Sequence, residues 1–159
     1  MTPGSTILTG VNTIVVERTE PGVEVVVVTG EHDLSTAPEL ERQLKGALES
    51  GAAVCVDLME TTFIDSSVLR VLISAREQAD EGGIGFRVAL GDTTGHGVRR
   101  LLELTDTERR LATAPTRVAA IAGATNGPRV QAPARRRPRP SRARACAATL
   151  AGAARRASG

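Results

Sequence analysis

Asp65, Ser66 and Ser67 stand where an apolar strand pattern gives way to a helical one, in the run Phe63-Ile64-Asp65-Ser66-Ser67-Val68-Leu69. A helix start leaves several backbone N–H groups without intrahelical partners and carries partial positive charge, so it accommodates a negative group placed on its first residues. The chemistry such a junction offers is phosphate acceptance by an exposed serine, and Ser66 is the candidate. The plainer reading is that Asp65, Ser66 and Ser67 cap the helix.

Catalysis finds little support. His32 and His96 are the only histidines, and neither has a cysteine or a second histidine at metal-ligand spacing. Each reads as a loop residue. A hydrolase nucleophile at Ser66 would need the Gly-x-Ser-x-Gly elbow that lets backbones approach closely, and Ile64 and Val68 occupy the glycine places. The glycines of 82–85 and 91–97 reproduce neither a phosphate-cradling loop with its lysine nor a dinucleotide fingerprint, and both stretches read as turns. The expectation is a chain that is no enzyme and needs no cofactor or metal.

The elements that must position the serine follow from periodicity. Thr13 to Arg18 and Val23 to Thr29 are β-branched runs around Thr19-Glu20-Pro21-Gly22, whose Pro-Gly pair suits a tight turn, so an N-terminal hairpin is predicted. Thr36-Ala37-Pro38-Glu39 has capping-box spacing and opens a helix from Ala37 with Leu40, Leu44, Ala47 and Leu48 on one face, ending at Gly51. Ala53 to Leu58 reads as a strand covered on both faces, pairing parallel to Val23 to Thr29. A second helix runs from Ser66 to Asp80, with Leu69, Leu72, Ile73 and Arg76 along one side. A strand at Gly85 to Leu90 follows, then a short helix at Gly97 to Leu104, a weak strand near Arg110 to Thr113 and a last helix near Thr116 to Ala122.

That order, β-β-α-β-α-β-α-β-α, implies an α/β domain with a mostly parallel sheet of four to five strands and about four helices. The loops Glu31 to Ser35 and Thr61 to Asp65 both leave carboxyl ends of strands, so they share one rim, where open α/β sheets carry their binding sites. Glu31, Asp33, Asp65 and Ser66 are expected there as one acidic patch around a hydroxyl.

Charge divides the chain more sharply than its total suggests. Residues 1 to 123 hold all 18 acidic side chains and 11 of the 20 basic ones, a balance of −7, whereas residues 124 to 159 hold nine arginines and no acid. The run Pro133-Ala134-Arg135-Arg136-Arg137-Pro138-Arg139-Pro140 lacks the large apolar residues of a packed segment. The domain is therefore bounded at 7–123 and the tail, 124–159, is expected to be disordered, with any nucleic-acid contact nonspecific and confined to it. No stretch approaches the roughly 18 apolar residues of a membrane span, and Met1 to Gly10 lacks the basic start and hydrophobic run of a signal peptide. Cys55 and Cys146 show no disulfide framework. A cytoplasmic protein fits these signs.

Taken together, Val27-Val28-Thr29-Gly30-Glu31-His32-Asp33-Leu34, then Val56-Asp57-Leu58 with Phe63-Ile64-Asp65-Ser66-Ser67, then Val88-Ala89-Leu90 carry a family likeness. Residues 7–123 resemble a STAS domain, the fold shared by anti-sigma factor antagonists and the cytoplasmic ends of sulfate transporters. The specific sign is a Gly-Glu-x-Asp loop followed about thirty residues later by an Asp-Ser-Ser helix start. The resemblance implies a stand-alone antagonist that binds a serine-kinase anti-sigma factor and so frees a sigma factor. It implies phosphorylation by that kinase on Ser66, with ATP bound by the partner, and a phosphatase that restores the serine. Glu31, Asp33, Asp65, Ser66, Ser67 and Val68 are the implied partner-binding residues, although family antagonists commonly carry glycine where Val68 stands. A non-switching STAS scaffold subunit in a signalling or lipid-transport assembly is the alternative.

Overall fold

A computed structural model describes residues 12–19 and 22–127. The Glu20-Pro21 half of the expected hairpin turn and the tail from residue 128 lie outside the described residues. The element order is β1 (Thr13–Thr19), β2 (Val23–His32), α1 (Ala37–Glu49), β3 (Ala53–Asp57), β4 (Thr61–Ile64), α2 (Ser66–Gly82), β5 (Phe86–Ala89), α3 (His96–Leu104), α4 (Glu108–Leu111), β6 (Thr113–Ala114) and α5 (Arg117–Asn126). Among the described residues six strands form one sheet in the order β1-β2-β3-β5-β6, with β4 set beside the end of β2. β1 runs antiparallel to β2, and the other pairings among the described residues are parallel. The α/β class and the mostly parallel sheet thus stand, with one strand and one helix more than the sequence suggested.

Two apolar layers explain the nearly continuous valine pattern of β2. Val26 and Val28 face a core closed by Leu40 and Leu44 of α1, Val68, Leu69 and Leu72 of α2, Val98 and Leu102 of α3 and Leu111 of α4. Val23 and Val25 face the other way and pack with Cys55, Ala89 and Ala120 under α5. Side chains alternate along a strand, so a strand buried on both faces must be apolar at every position. Burial pushes the Cys55 thiol up to about 12, with the Asp57 carboxylate adding to the shift, so this cysteine is a packed apolar group and no nucleophile.

The extra elements sit where the local pattern is too short to read. The sequence places Thr61–Ile64 in a loop, yet Thr61 is buried and its hydroxyl donates to the Val28 carbonyl at 2.7 Å, which fixes β4 on β2. The strand expected near Arg110 to Thr113 begins only at Thr113, because Glu108–Leu111 coil into one helical turn that drops Leu111 into the core. Ala112 ends that turn at φ +50, the left-handed region. The last helix runs on to Asn126, and Ala124 is buried against the sheet. The boundary drawn at 123 therefore falls inside α5. Among the described residues no helix is long and apolar enough to cross a membrane.

Candidate functional site

Two strands deliver the candidate residues to one rim. β2 ends in Glu31 and His32 and gives way to the turn that starts α1, while β4 ends at Ile64 and hands the chain through Asp65 to α2. Parallel pairing sets Glu31 opposite Phe63 and His32 opposite Ile64, after a register shift at Gly30/Glu31. Such a shift twists a strand and re-aims the residues beyond it. The Asp65 N–H donates to the His32 carbonyl at 3.3 Å.

Asp65 holds the junction together. Its backbone is extended, and one carboxylate oxygen accepts from the N–H groups of Ser67 at 2.8 Å and Val68 at 3.0 Å, the geometry of an N-cap. The other oxygen accepts from the Leu34 N–H at 3.1 Å, across 31 residues of sequence. One carboxylate thereby caps α2 and fastens the β2–α1 loop to it. The capping expected of the Asp-Ser-Ser run falls to Asp65 alone, and Ser66, the first helical residue, is exposed. Ser67 is half-buried behind it.

The neighbouring loop presents charge. Glu31 is exposed, its N–H donating to the Asn12 side chain at 2.9 Å. Asp33 accepts from the N–H of Ser35 at 2.9 Å and from the Ser35 hydroxyl, an Asx-type turn. Those two bonds, the hydroxyl first, hold the Asp33 carboxyl below the usual carboxylate range, so it stays ionised at neutral pH. Thr36 serves this turn as well, accepting from the Asp33 N–H at 3.0 Å and making no side-chain cap bond to α1. Glu39 pairs instead with Arg42 and Gln43. The expected capping box is therefore absent, because both of its members have nearer partners.

Two sequence expectations need correction here. Val68 is fully buried in the main core, so it packs beneath the rim and not on its surface. It faces inward because it falls on the same helical side as Leu72 and Ala75. His32 is no loop residue; it ends β2, is buried, and its Nε2 bonds the Thr29 carbonyl at 2.9 Å. Asp65 keeps its carboxylate charge at the rim, with both oxygens bonded to backbone N–H groups. Glu31, Asp33 and Ser66 are the exposed members. Among the described residues no three His, Cys, Asp or Glu side chains are grouped to hold a metal.

Two apolar side chains at this rim escaped the sequence reading. Leu34 is 70% and Phe63 47% exposed, each joined through the backbone to the Asp65 junction. Their signal was an unpartnered leucine between Asp33 and Ser35, and an aromatic one place out of step with buried Ile64. On the far side Gly95 lies so close to Thr62 that a Cβ there would overlap its backbone, which seats the start of α3 against β4.

The comparisons agree with this architecture. The family model described as Mlab, STAS domain matches residues 15–113. An anti-sigma factor antagonist from Mycobacterium paratuberculosis is similar at 29% identity and TM-score 0.61, covering 72% of this chain and 94% of that one. A candidate anti-sigma factor antagonist from Thermotoga maritima is similar at 21% identity and the same TM-score, covering 70% and 94%. The phosphorylated form of the Bacillus cell fate determinant SpoIIAA is similar at 17% identity and TM-score 0.52, covering 69% and 97%. The last two likenesses bear on the fold. No curated protein matches the chain.

Proposed function

The chain belongs to the STAS domain family, and from that premise we propose that it is an anti-sigma factor antagonist switched off by phosphorylation of Ser66. Its partner in this reading is a serine-kinase anti-sigma factor, which binds the rim, supplies ATP and transfers phosphate to the Ser66 hydroxyl. A phosphatase returns the serine, and the chain itself is ligand and substrate, not enzyme. The observation that carries the reading is the division of labour at the helix start: Asp65 does the capping, which leaves Ser66 exposed on the rim that also bears the exposed Glu31 and Asp33. A serine needed for the cap would have been half-buried and bonded to the backbone.

The test is phosphate transfer. With ATP and the serine-kinase anti-sigma factors of the source organism, phosphate maps by mass spectrometry to Ser66, is lost in Ser66→Ala and persists in Ser67→Ala. Phosphate on Ser67, or on neither residue, sinks the proposal. The alternative is a non-switching scaffold subunit of a signalling or lipid-transport assembly. It requires partner binding indifferent to Ser66.

The exposed apolar pair gives a second expectation. Interface energy concentrates in a few large side chains that lose water on binding, and Leu34 and Phe63 are the large apolar groups flanking Ser66. Leu34→Ala and Phe63→Ala each weaken partner binding by about 1–2 kcal/mol, roughly 5- to 30-fold, with thermal unfolding almost unchanged because neither is buried. Isothermal titration paired with melting curves checks this; full affinity in both variants moves the interface off this rim.

A further inference from the structure

The sheet ends in two unlike edges. β6 is two residues long, Thr113–Ala114, and offers little free backbone. β1 is seven residues long, Thr13–Thr19, and among the described residues it pairs only with β2. Of the devices that keep an open edge from pairing it carries no proline and no bulge, and its charged residues are Glu17 and Arg18. Val15 is 49% and Val16 37% exposed. Successive strand residues point to opposite faces, so these two valines leave apolar surface on both sides of the same edge.

We propose that β1 is the interface of a homodimer, in which two copies pair their edges antiparallel about a two-fold axis at Val15 and join the two sheets into one. A two-fold axis perpendicular to the sheet keeps each residue on its own face, so an axis residue opposes itself and its neighbours pair symmetrically. With the axis at Val15, Val15 meets Val15 of the second copy, Ile14 meets Val16, and Thr13 meets Glu17. With the axis at Glu17 two carboxylates would oppose one another. At Val16, Ile14 would face Arg18 and Val15 would face Glu17. At Ile14, Val15 would face Thr13 and Val16 would face Asn12. Val15 is thus the register that pairs every apolar residue of the edge with another and opposes no like charges. Glu17 and Arg18 already have partners within their own chain, in Arg117 and Glu24.

The geometry has a functional consequence. Antiparallel pairing of the β1 strands reverses β2 of one copy relative to the other, so the two Ser66 rims sit at opposite ends of the joined sheet. The dimer then binds two partner molecules without crowding.

An edge pairing with a few side chains belongs among small interfaces, below about 1,200 Å², so association is expected to be weak and concentration-dependent. Sedimentation of the full chain over a concentration series shows monomer passing to dimer. Val15→Lys, which sets two ammonium groups on the axis, raises the dissociation constant at least about tenfold with an unchanged circular dichroism spectrum. Leu104→Lys, at an exposed leucine that ends α3, a helix packed against β4, leaves it unchanged. Should Val15→Lys fail to fold, Val15→Cys in a Cys146→Ser background still reports, oxidising to a covalent dimer on a non-reducing gel where Leu104→Cys in the same background does not. A wild-type chain that stays monomeric throughout, its edge left open or covered by its own residues 1–11, overturns the proposal, as does a Val15→Lys chain that dimerises like wild type.

Discussion

Replacing Asp65 with alanine is expected to lower the free energy of unfolding by about 2–4 kcal/mol. Its carboxylate is the acceptor for three backbone N–H groups, those of Ser67, Val68 and Leu34. An N-cap alone contributes about 0.5–2 kcal/mol, and the Leu34 bond adds a tie between segments far apart in sequence. The Val68 N–H stands on a fully buried residue, so losing its acceptor carries a desolvation cost that water relieves only in part. Asp65→Asn keeps one carbonyl acceptor, and its amide gives the Leu34 N–H no second one; a loss of about 1 kcal/mol is expected. A shift in denaturant midpoint at constant slope is the measurement. The alanine variant also loses partner affinity, because the loop bearing Asp33 and Leu34 is no longer fastened to α2. An alanine variant within about 0.5 kcal/mol of wild type would mean the carboxylate does not hold the rim together.

Much of this architecture is legible in the residues, and the failures share a cause. The hairpin, α1, β3, α2, β5 and α3 could be read because their apolar positions recur with a clear period and their ends carry punctuation. Gly51 ends α1 at φ +75 and Gly83 closes α2 at φ +65, conformations glycine adopts without strain. β4 and α4 are four residues each, too few for a period to show, and both are fixed by tertiary contacts: Thr61 to the Val28 carbonyl, Leu111 in the core. At the rim, residue types announced the location but not who faces outward. Asp65 and Ser66 are adjacent polar residues, and only the extended backbone at Asp65 turns its carboxylate onto the helix while leaving the serine outside. Val68 was misplaced for the same reason, since the first turn of a helix has an inner side that sequence alone does not mark. Leu34 and Phe63 broke the apolar pattern by being exposed, which registers as noise until the chain is folded.

Ser66→Asp is expected to weaken binding of the anti-sigma partner by about 100-fold or more, close to 3 kcal/mol, while Ser66→Ala stays within a few-fold of wild type. A phosphate brings about −1.5 to −2 charges, and aspartate brings part of that in the same place. Ordinarily the helix N-terminus would absorb such a charge through its free N–H groups. Here the N–H groups of Ser67 and Val68 are already bonded to Asp65, so the added charge has less to gain inward and faces the partner. It does so beside exposed Glu31 and Asp33, the latter held ionised by Ser35. Because the site is exposed, stability should change by less than about 0.5 kcal/mol in either variant, which separates a charge effect from unfolding. Repulsion between exposed charges is screened over about 8 Å at physiological ionic strength, so high salt recovers part of the lost affinity, and Asp33→Asn in the Ser66→Asp background recovers part of it at low salt. Titration calorimetry at two ionic strengths reads all of these. A Ser66→Asp chain that binds within about threefold of wild type removes the switch and leaves a rim that docks its partner regardless of charge at that serine.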